Sequence, residues 1–447
     1  MFFKLHYTKR VFFILAVLIL FVKTSNAQEK ISIGALDTLS YKYYLNGEWD
    51  SLFALSSVAD AQKIHFYYFD YRLGIAYYLK ANYMMASYYL EKAETFYKDA
   101  PADLYFAGYL YLSYVYTNQL NKASALQNSV DPSLLLISKP NKKISSVNLD
   151  YGYGKTGNYP NKLSVFSGQE FITYTKETSY SFYNIGFSGQ LAPKLRYYTD
   201  FSMYNTDRQS SMIDGVIDST NTDKIRQNQF YLNLNYQLTK TWSISPAFHY
   251  SSFKSNPLQF KYPEKYPESL ETDTFVYHQF AAGLDLNKTY KRINFGTQLA
   301  MSKLNDSIQY QAGLYLNYLP KGNLNFYSKT SVFSHFESAQ MQIVFGEKIG
   351  FKIVPKLWVE ASATIGKMNN FMDENINIVY NTADGVNGAY GLGLYYFINK
   401  HLVFKVNYKM YNMVTTRSKY TIDNPEGIFT AVNYKKHLIS GGLVWKF

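Results

Sequence analysis

The sequence has no cysteine in 447 residues. That absence excludes a disulfide framework, a thiolate zinc or iron–sulfur site, a thiol nucleophile and an acylated lipoprotein cysteine. Charged residues are sparse at 17%, with 45 Lys+Arg against 33 Asp+Glu. The basic side chains are dispersed rather than gathered into a stripe, so nucleic acid is not an expected partner. Beyond the N-terminus no apolar run approaches the ~20 residues of a spanning helix, which excludes a helical membrane protein. Aromatic residues are abundant instead, with 46 Tyr, 32 Phe and 4 Trp, at a mean hydropathy of -0.25. This composition does not fit disorder and suits rings placed between apolar and wet surroundings.

The N-terminus explains where the chain goes. Lys4, Lys9 and Arg10 precede an unbroken apolar run from Val11 to Val22, and Ser25, Asn26 and Ala27 then lead to Gln28. That charged, apolar, small-residue order is a secretory signal, expected to occupy residues 1–27. The run is too short to span a bilayer comfortably.

Two periods divide the rest of the chain. Residues 31–131 read as helices, and Leu73, Gly74, Tyr77, Tyr83, Ala86, Leu90 and Ala93 alternate small and large positions as paired helices require. Leu39, Tyr43, Gly47, Trp49 and Leu52 upstream, and Leu110, Tyr114, Asn118, Leu120 and Ala123 downstream, repeat the offsets. Gly47, Ala81 and Asn118 mark the copies, at spacings of about 34 and 37 residues. The segment resembles tetratricopeptide (TPR) repeats, departing from that pattern at Asp70, which stands at an aromatic position, and having only Pro101 near the terminal proline. The resemblance implies a concave surface that docks a protein partner, with no chemistry of its own.

After Pro140 the period becomes two. Phe230, Leu232, Leu234, Tyr236 and Leu238 alternate with Tyr231, Asn233, Asn235 and Gln237, the pattern of a strand with one apolar and one polar face. The pattern recurs to the end of the chain. Short turns near Pro193, Lys240, Lys288, Pro320, Pro355 and Asn399 interchange with longer polar connections expected at 205–225, 253–273, 367–386 and 414–433. Short turns on one side and long loops on the other are the layout of a transmembrane β-barrel, which must close because an open edge strands backbone groups in lipid. The expected fold is therefore α+β and multidomain: TPR-like helical hairpins over 28–135, then an antiparallel transmembrane barrel over 136–447. About 14 strands fit, with 16 or 12 as alternatives that depend on whether 154–178 is a loop or a further hairpin.

The chain ends Trp445-Lys446-Phe447, which is similar to the C-terminal signal of outer-membrane barrels read by the barrel-assembly machinery. Signal, helical segment and Tyr/Asn/Lys-rich barrel together resemble outer-membrane proteins of Bacteroidota-type bacteria. The resemblance implies an outer-membrane barrel in contact with lipid, with its helical domain and a protein partner in the periplasm. No motif fixes a substrate.

Strand parity turns Arg196, Arg292, Lys329, Lys348, Lys352, Lys405 and Lys409 toward the lumen, against Asp200, Asp285 and Glu360. An open pore so lined would favour anions. Tyr197, Trp242, Tyr250, Tyr318, Tyr396, Tyr408 and Trp445 suit interfacial girdles. His249 and His278 fall on opposite faces of one hairpin, and His335, His401 and His437 read as strand-end or loop residues. No catalytic, cofactor or metal site is therefore expected, and Asp214, Asp218, Asn221 and Asp223 read as a solvated external loop. The function expected is a channel or transport component with a periplasmic docking domain. The alternative is a barrel that only anchors a scaffold or assembly factor for the envelope, secretion or motility.

Overall fold

The computed structural model describes residues 30–97, 103–136, 140, 142–157, 170–214, 217–255, 275–337, 340–382, 384–421 and 424–447. The expected signal at 1–27 and Pro101 lie outside those residues.

Helices come first: α1 (Ile33–Asn46), α2 (Trp49–Gln62), α3 (Tyr67–Leu79), α4 (Tyr83–Glu94), α5 (Leu104–Tyr116) and α6 (Leu120–Leu126). Four turns of one design connect them, three within hairpins and a fourth at Lys63 (φ 57), whose N–H donates to the Asp60 carbonyl while that of Ile64 donates to the Ala59 carbonyl. Gly47, Ala81 and Asn118 adopt left-handed backbone at φ 68, 54 and 58. In each turn this residue's N–H donates to the carbonyl three positions back, and the next N–H donates five back. That pair of bonds caps the orphaned carbonyls of α1, α3 and α5. Gly47 thus serves a turn rather than a helix contact.

Gly74 does serve a helix contact: a Cβ there would lie 2.5 Å from Leu90 Cγ. Leu73, Ala86, Leu90 and Ala93 are fully buried and Tyr77 is buried, while Tyr83 is half-buried. The Tyr77 ring stacks between Phe53 at 4.1 Å and Tyr89 at 5.5 Å.

The strands of the sheet are β1 (Ser146–Gly157), β2 (Glu170–Ala192), β3 (Leu195–Asp214), β4 (Ile217–Gln237), β5 (Trp242–Ser255), β6 (Phe275–Tyr290), β7 (Ile293–Leu304), β8 (Ser307–Tyr318), β9 (Phe326–Glu337), β10 (Gln340–Val354) and β11 (Leu357–Ile365), and after an insertion carrying the short β12 (Met372–Asp373) and β13 (Ile378–Val379) come β14 (Gly385–Phe397), β15 (Leu402–Thr421) and β16 (Asn424–Lys446). Apart from the inserted pair, each runs antiparallel to its neighbour, and β1 closes on β16 from Ser146 opposite Lys446 to Gly157 opposite Lys435. The result is a closed barrel of fourteen strands. Ile343, Phe345, Ile349, Phe351 and Ile353 of β10 are exposed on the outer wall, with Tyr318, Tyr396, Tyr408 and Trp445. An apolar outer wall on a closed sheet is the form a barrel takes in lipid.

Several connections differ from expectation. Stretches 205–225 and 414–433 are chiefly strand: β3 and β4 stay paired to Asp214 opposite Ile217, and β15 and β16 to Thr421 opposite Asn424. Strands accordingly reach 23 residues, longer than a bilayer crossing needs. Polar composition here marks hairpins that continue beyond the lipid belt. Of 154–178, β1 takes the start and β2 the end, and the middle lies outside the described residues, as does most of 253–273. Asp223 is buried and accepts from Ser255 at 2.7 Å, so it is not a solvated loop residue.

The helical region rests on the short-turn end of the barrel. Met84 N–H donates to the Gly322 carbonyl at 2.9 Å, and Asn323 Nδ2 donates to the Ala81 carbonyl at 2.8 Å. Gly322 has φ 64, and a Cβ there would lie 1.7 Å from Asn82 Oδ1, so only glycine permits this approach. Asn121 links Gln190 and Asn235, Lys291 pairs with Asp60 at 3.1 Å, and Lys240 pairs with Glu94.

Candidate functional site

A barrel of fourteen strands is too wide for its own wall side chains to fill. Here the chain fills it. The segment 367–386, expected as an external loop, turns inward after β11 and carries the small β12–β13 hairpin into the lumen. The entry is Gly366 at φ 142, where a Cβ would meet the Ile343 carbonyl oxygen at 2.5 Å. Met368, Phe371, Met372 and Ile376 become fully buried.

The inner wall is shaped for this plug. Met372 and Ile376 pack with Ala247, Ala281, Ala300 and Tyr231, and a Cβ on Gly283 would sit 3.0 Å from Ile376. Phe371 and Met368 pack with Phe333, Val344 and Met413. Polar wall groups then satisfy the plug's backbone. Gln311 bonds both the Met372 N–H (3.0 Å) and its carbonyl (2.6 Å), Tyr231 donates to the Asn375 carbonyl (3.1 Å), and His249 Nδ1 donates to the Ile376 carbonyl (2.9 Å). Glu374, Asn375 and Ile376 form three consecutive left-handed residues at φ 49, 53 and 63. None is glycine and one is β-branched, so each costs about 1–3 kcal/mol, offset by these wall contacts.

Below the plug tip, toward the helical end, lies a cavity of about 330 Å³. Lys329, Lys348 and Lys409 line it with Glu360, Asp373 and Glu374. Lys348 Nζ sits 2.9 Å from Glu374 and 3.4 Å from Glu360, and Lys329 lies 4.9 Å over the Tyr315 ring. Lys405 is engaged by Asp150 at 2.9 Å. Arg196 donates to Gln190 (3.1 Å) and Ser145 (3.2 Å) and Lys352 covers the Trp358 ring at 4.7 Å, both near the short turns. Arg292 falls in the β6–β7 turn and shares a cleft with Phe53 and Tyr77 of the helical region, so it stands apart from the lumen lysines. Asp200 is buried, and Asp285 accepts from the Tyr315 hydroxyl at 2.9 Å. The plug thus brings Asp373 and Glu374 to the lysines, acids that strand parity alone does not place there.

No family model and no curated sequence matches the chain. Solved structures similar to it are outer-membrane-type barrels. A Pseudomonas aeruginosa FadL homologue is 9% identical over 73% of this chain and 92% of its own, at a TM-score of 0.42. The TodX monoaromatic hydrocarbon channel deltaS2 mutant is 8% identical over 73% and 94%, at 0.43. The translocator domain of the autotransporter NalP from Neisseria meningitidis is 11% identical over 75% and 99%, at 0.32. At these values the likeness says nothing of cargo, and the barrel stands on the chain's own strand pairing.

The histidines divide between the two walls. His249 faces the plug, whereas His278 bonds Tyr250 at 2.8 Å on the exposed side, so the two do not converge. His335 stands two residues from the end of β9, but it is not interfacial: it is fully buried, 6.4 Å from the Phe371 ring of the plug. His401 stacks on Trp445, and Phe447 N–H reaches the Ser145 carbonyl at 3.0 Å, tying the C-terminus to the start of the barrel.

A second polar cluster joins helices to barrel. His65 lies between Asp60 (3.1 Å) and Asp70 (2.9 Å), Lys92 approaches His65 Nε2 at 2.6 Å, and Lys291 reaches Asp60. Asp70, the departure from the repeat pattern, is the fully buried anchor of this cluster. Burial raises its carboxyl above the ordinary 3.8, against the lowering effect of His65 and Lys92, and burial lowers the Lys92 ammonium. A raised acid binds more protons folded than unfolded, so its stabilisation is complete below pH 3.8 and is lost as pH rises through the raised value. Hydrogen exchange of α3 and α4 should therefore lose protection from this group as pH rises across that window. Asp70→Asn should flatten the slope, and an unchanged slope would dismiss Asp70 as its source.

Proposed function

We propose that the protein is an outer-membrane transport channel gated by the 366–384 plug. The observation that carries the proposal is the fitted inner wall. Alanines and a glycine make room for Ile376 and Met372, and beyond the Met368 N–H to Val386 carbonyl bond at its base the plug is held by apolar packing, side-chain hydrogen bonds and, among the described residues, one ion pair from Lys348 to Glu374. A barrel serving only as an anchor has no need of a separable stopper.

In this reading the outer wall faces lipid, and Trp445 and Phe447 serve the barrel-assembly machinery. Lys329, Lys348, Lys405 and Lys409 give the lumen its cationic lining. The helical region lies in the periplasm, where the hairpins built on Leu73, Gly74, Tyr77, Tyr83, Ala86, Leu90 and Ala93 act as a TPR-like dock for a protein partner. The exposed rings of Tyr41, Tyr68 and Tyr105 suit that role.

Planar-bilayer recording tests the gate. Intact protein should show brief openings at raised voltage, and removal of residues 31–131 should leave a conductance. Flat records from the intact chain and from a plug-excised variant would overturn the channel. The anchored scaffold, favoured by the bonds that fix α4 to the Gly322 turn, would then take its place.

A further inference from the structure

We propose that Lys329, Lys348 and Lys409 form a lumen binding site for a small dicarboxylate, which the plug's own Asp373 and Glu374 occupy as a resident substitute. The proposal rests on the plugged-channel reading only for the opening that plug release would cause; binding itself needs no conducting pore.

Three observations converge. Lys329 and Lys348 are direct cross-strand partners on β9 and β10, both facing the lumen. Like charges in that register destabilise a sheet, so the pair calls for an anion between them and the lumen. Lys409 of β15, three strands round the wall from β10, lines the same cavity. Three strands thus converge cations on one volume.

The plug answers that demand incompletely. Glu374 engages Lys348, whereas Asp373 Oδ1 accepts the Glu374 backbone N–H at 2.8 Å. Among the described residues no carboxylate lies within 4.0 Å of Lys329 or Lys409. The substitute is also costly, since Glu374 is the first of the three left-handed residues of the tip. A free ligand carries no such strain and can reach all three ammonium groups.

Size and donors narrow the class. About 330 Å³ is at the low end for a ligand cavity. Hydroxyls of Ser331, Ser362 and Tyr395 face it, and fixed Glu360 on one side disfavours a large polyanion. Two carboxylates on a short spacer reproduce what Asp373 and Glu374 present. Binding would displace the acidic tip and leave its strained turn without its ion pair.

Calorimetry on the full chain in detergent, with succinate as probe and acetate at matched ionic strength as control, tests the site. A single Asn377→Cys carrying an environment-sensitive dye reads plug movement, which the absence of native cysteine makes specific. Succinate should give saturable heat and a dye response, and acetate neither. Glu374→Gln should tighten succinate about tenfold, because the substitute loses its charge, and Lys409→Gln should weaken it about tenfold with the barrel still folded. No saturable heat, or equal binding by inorganic phosphate, overturns the dicarboxylate site. Heat without a dye response, or an unchanged affinity in Glu374→Gln, overturns the competition with the plug. A protein that binds succinate and moves its plug yet never conducts would sink the channel reading alone.

Discussion

Excising residues 367–384 and joining β11 to β14 with a short Gly-Ser turn should raise single-channel conductance about tenfold or more, since fourteen strands enclose more space than their own side chains fill. The excision is structurally mild. β11 and β14 are already paired from Leu357 opposite Tyr396 to Ile365 opposite Gly388, so a hairpin replaces the insertion without a change of register. What disappears is the apolar stopper of Met368, Phe371, Met372 and Ile376, together with its hydrogen bonds to Gln311, Tyr231 and His249. The wall left behind keeps Phe333, Val344 and Met413 on one side, but elsewhere it is alanine, glycine, serine, glutamine and tyrosine, which water can wet. Four left-handed residues, Asn370, Glu374, Asn375 and Ile376, leave with the plug, so part of the lost packing is offset by relieved strain. Planar-bilayer recording gives the conductance, and band-shift electrophoresis shows whether the barrel remains folded. A folded variant with the conductance of the intact chain would mean that the lumen is closed elsewhere.

The barrel is legible in the sequence because its governing pattern is local. Period-two alternation shows in Phe230 to Leu238, and both the strand count and the paired ends follow from it. The inner apolar residues are illegible for a related reason. Phe333 follows outward-facing Val332, and buried Val344 stands between exposed Ile343 and Phe345, so each makes an apolar run in which parity is hidden. Their partners lie tens of residues away in the plug. One signal of the plug is present: Met368, Phe371, Met372, Ile376 and Ile378 are too apolar for a solvated external loop, and Gly366 marks the turn inward. Among the candidate lumen residues, strand parity carries Lys329, Lys348 and Lys409 to one cavity, but Arg292 sits in a turn where parity has no meaning. The marker positions Gly47, Ala81 and Asn118 fall at hairpin turns, but the same turn recurs off the repeat at Lys63, and the offsets alone do not distinguish Gly47, which turns the chain, from Gly74, which admits a neighbouring helix.

That distinction yields a sharp energetic test. Leu90→Ala should destabilise the helical region by about 2–5 kcal/mol, because the side chain is fully buried and the site cannot collapse around its loss. Gly74→Ala should cost about 1–3 kcal/mol through the opposite fault, since the added methyl would lie 2.5 Å from Leu90 Cγ and 2.7 Å from Cδ2. The two faults are complementary in space. With Leu90 shortened, the nearest remaining neighbour of the new methyl is the Leu90 backbone nitrogen at 3.3 Å, a contact that a small shift relieves. The double variant should therefore lose less than the sum of the singles by at least about 1 kcal/mol, the coupling expected of residues in direct contact. Urea titration of the full chain in micelles, followed by hydrogen exchange of α3 and α4, separates the helical transition from the more resistant barrel. Additive losses would show that α3 and α4 do not meet at this pair. The close approach would then fail as the reason for a glycine at position 74.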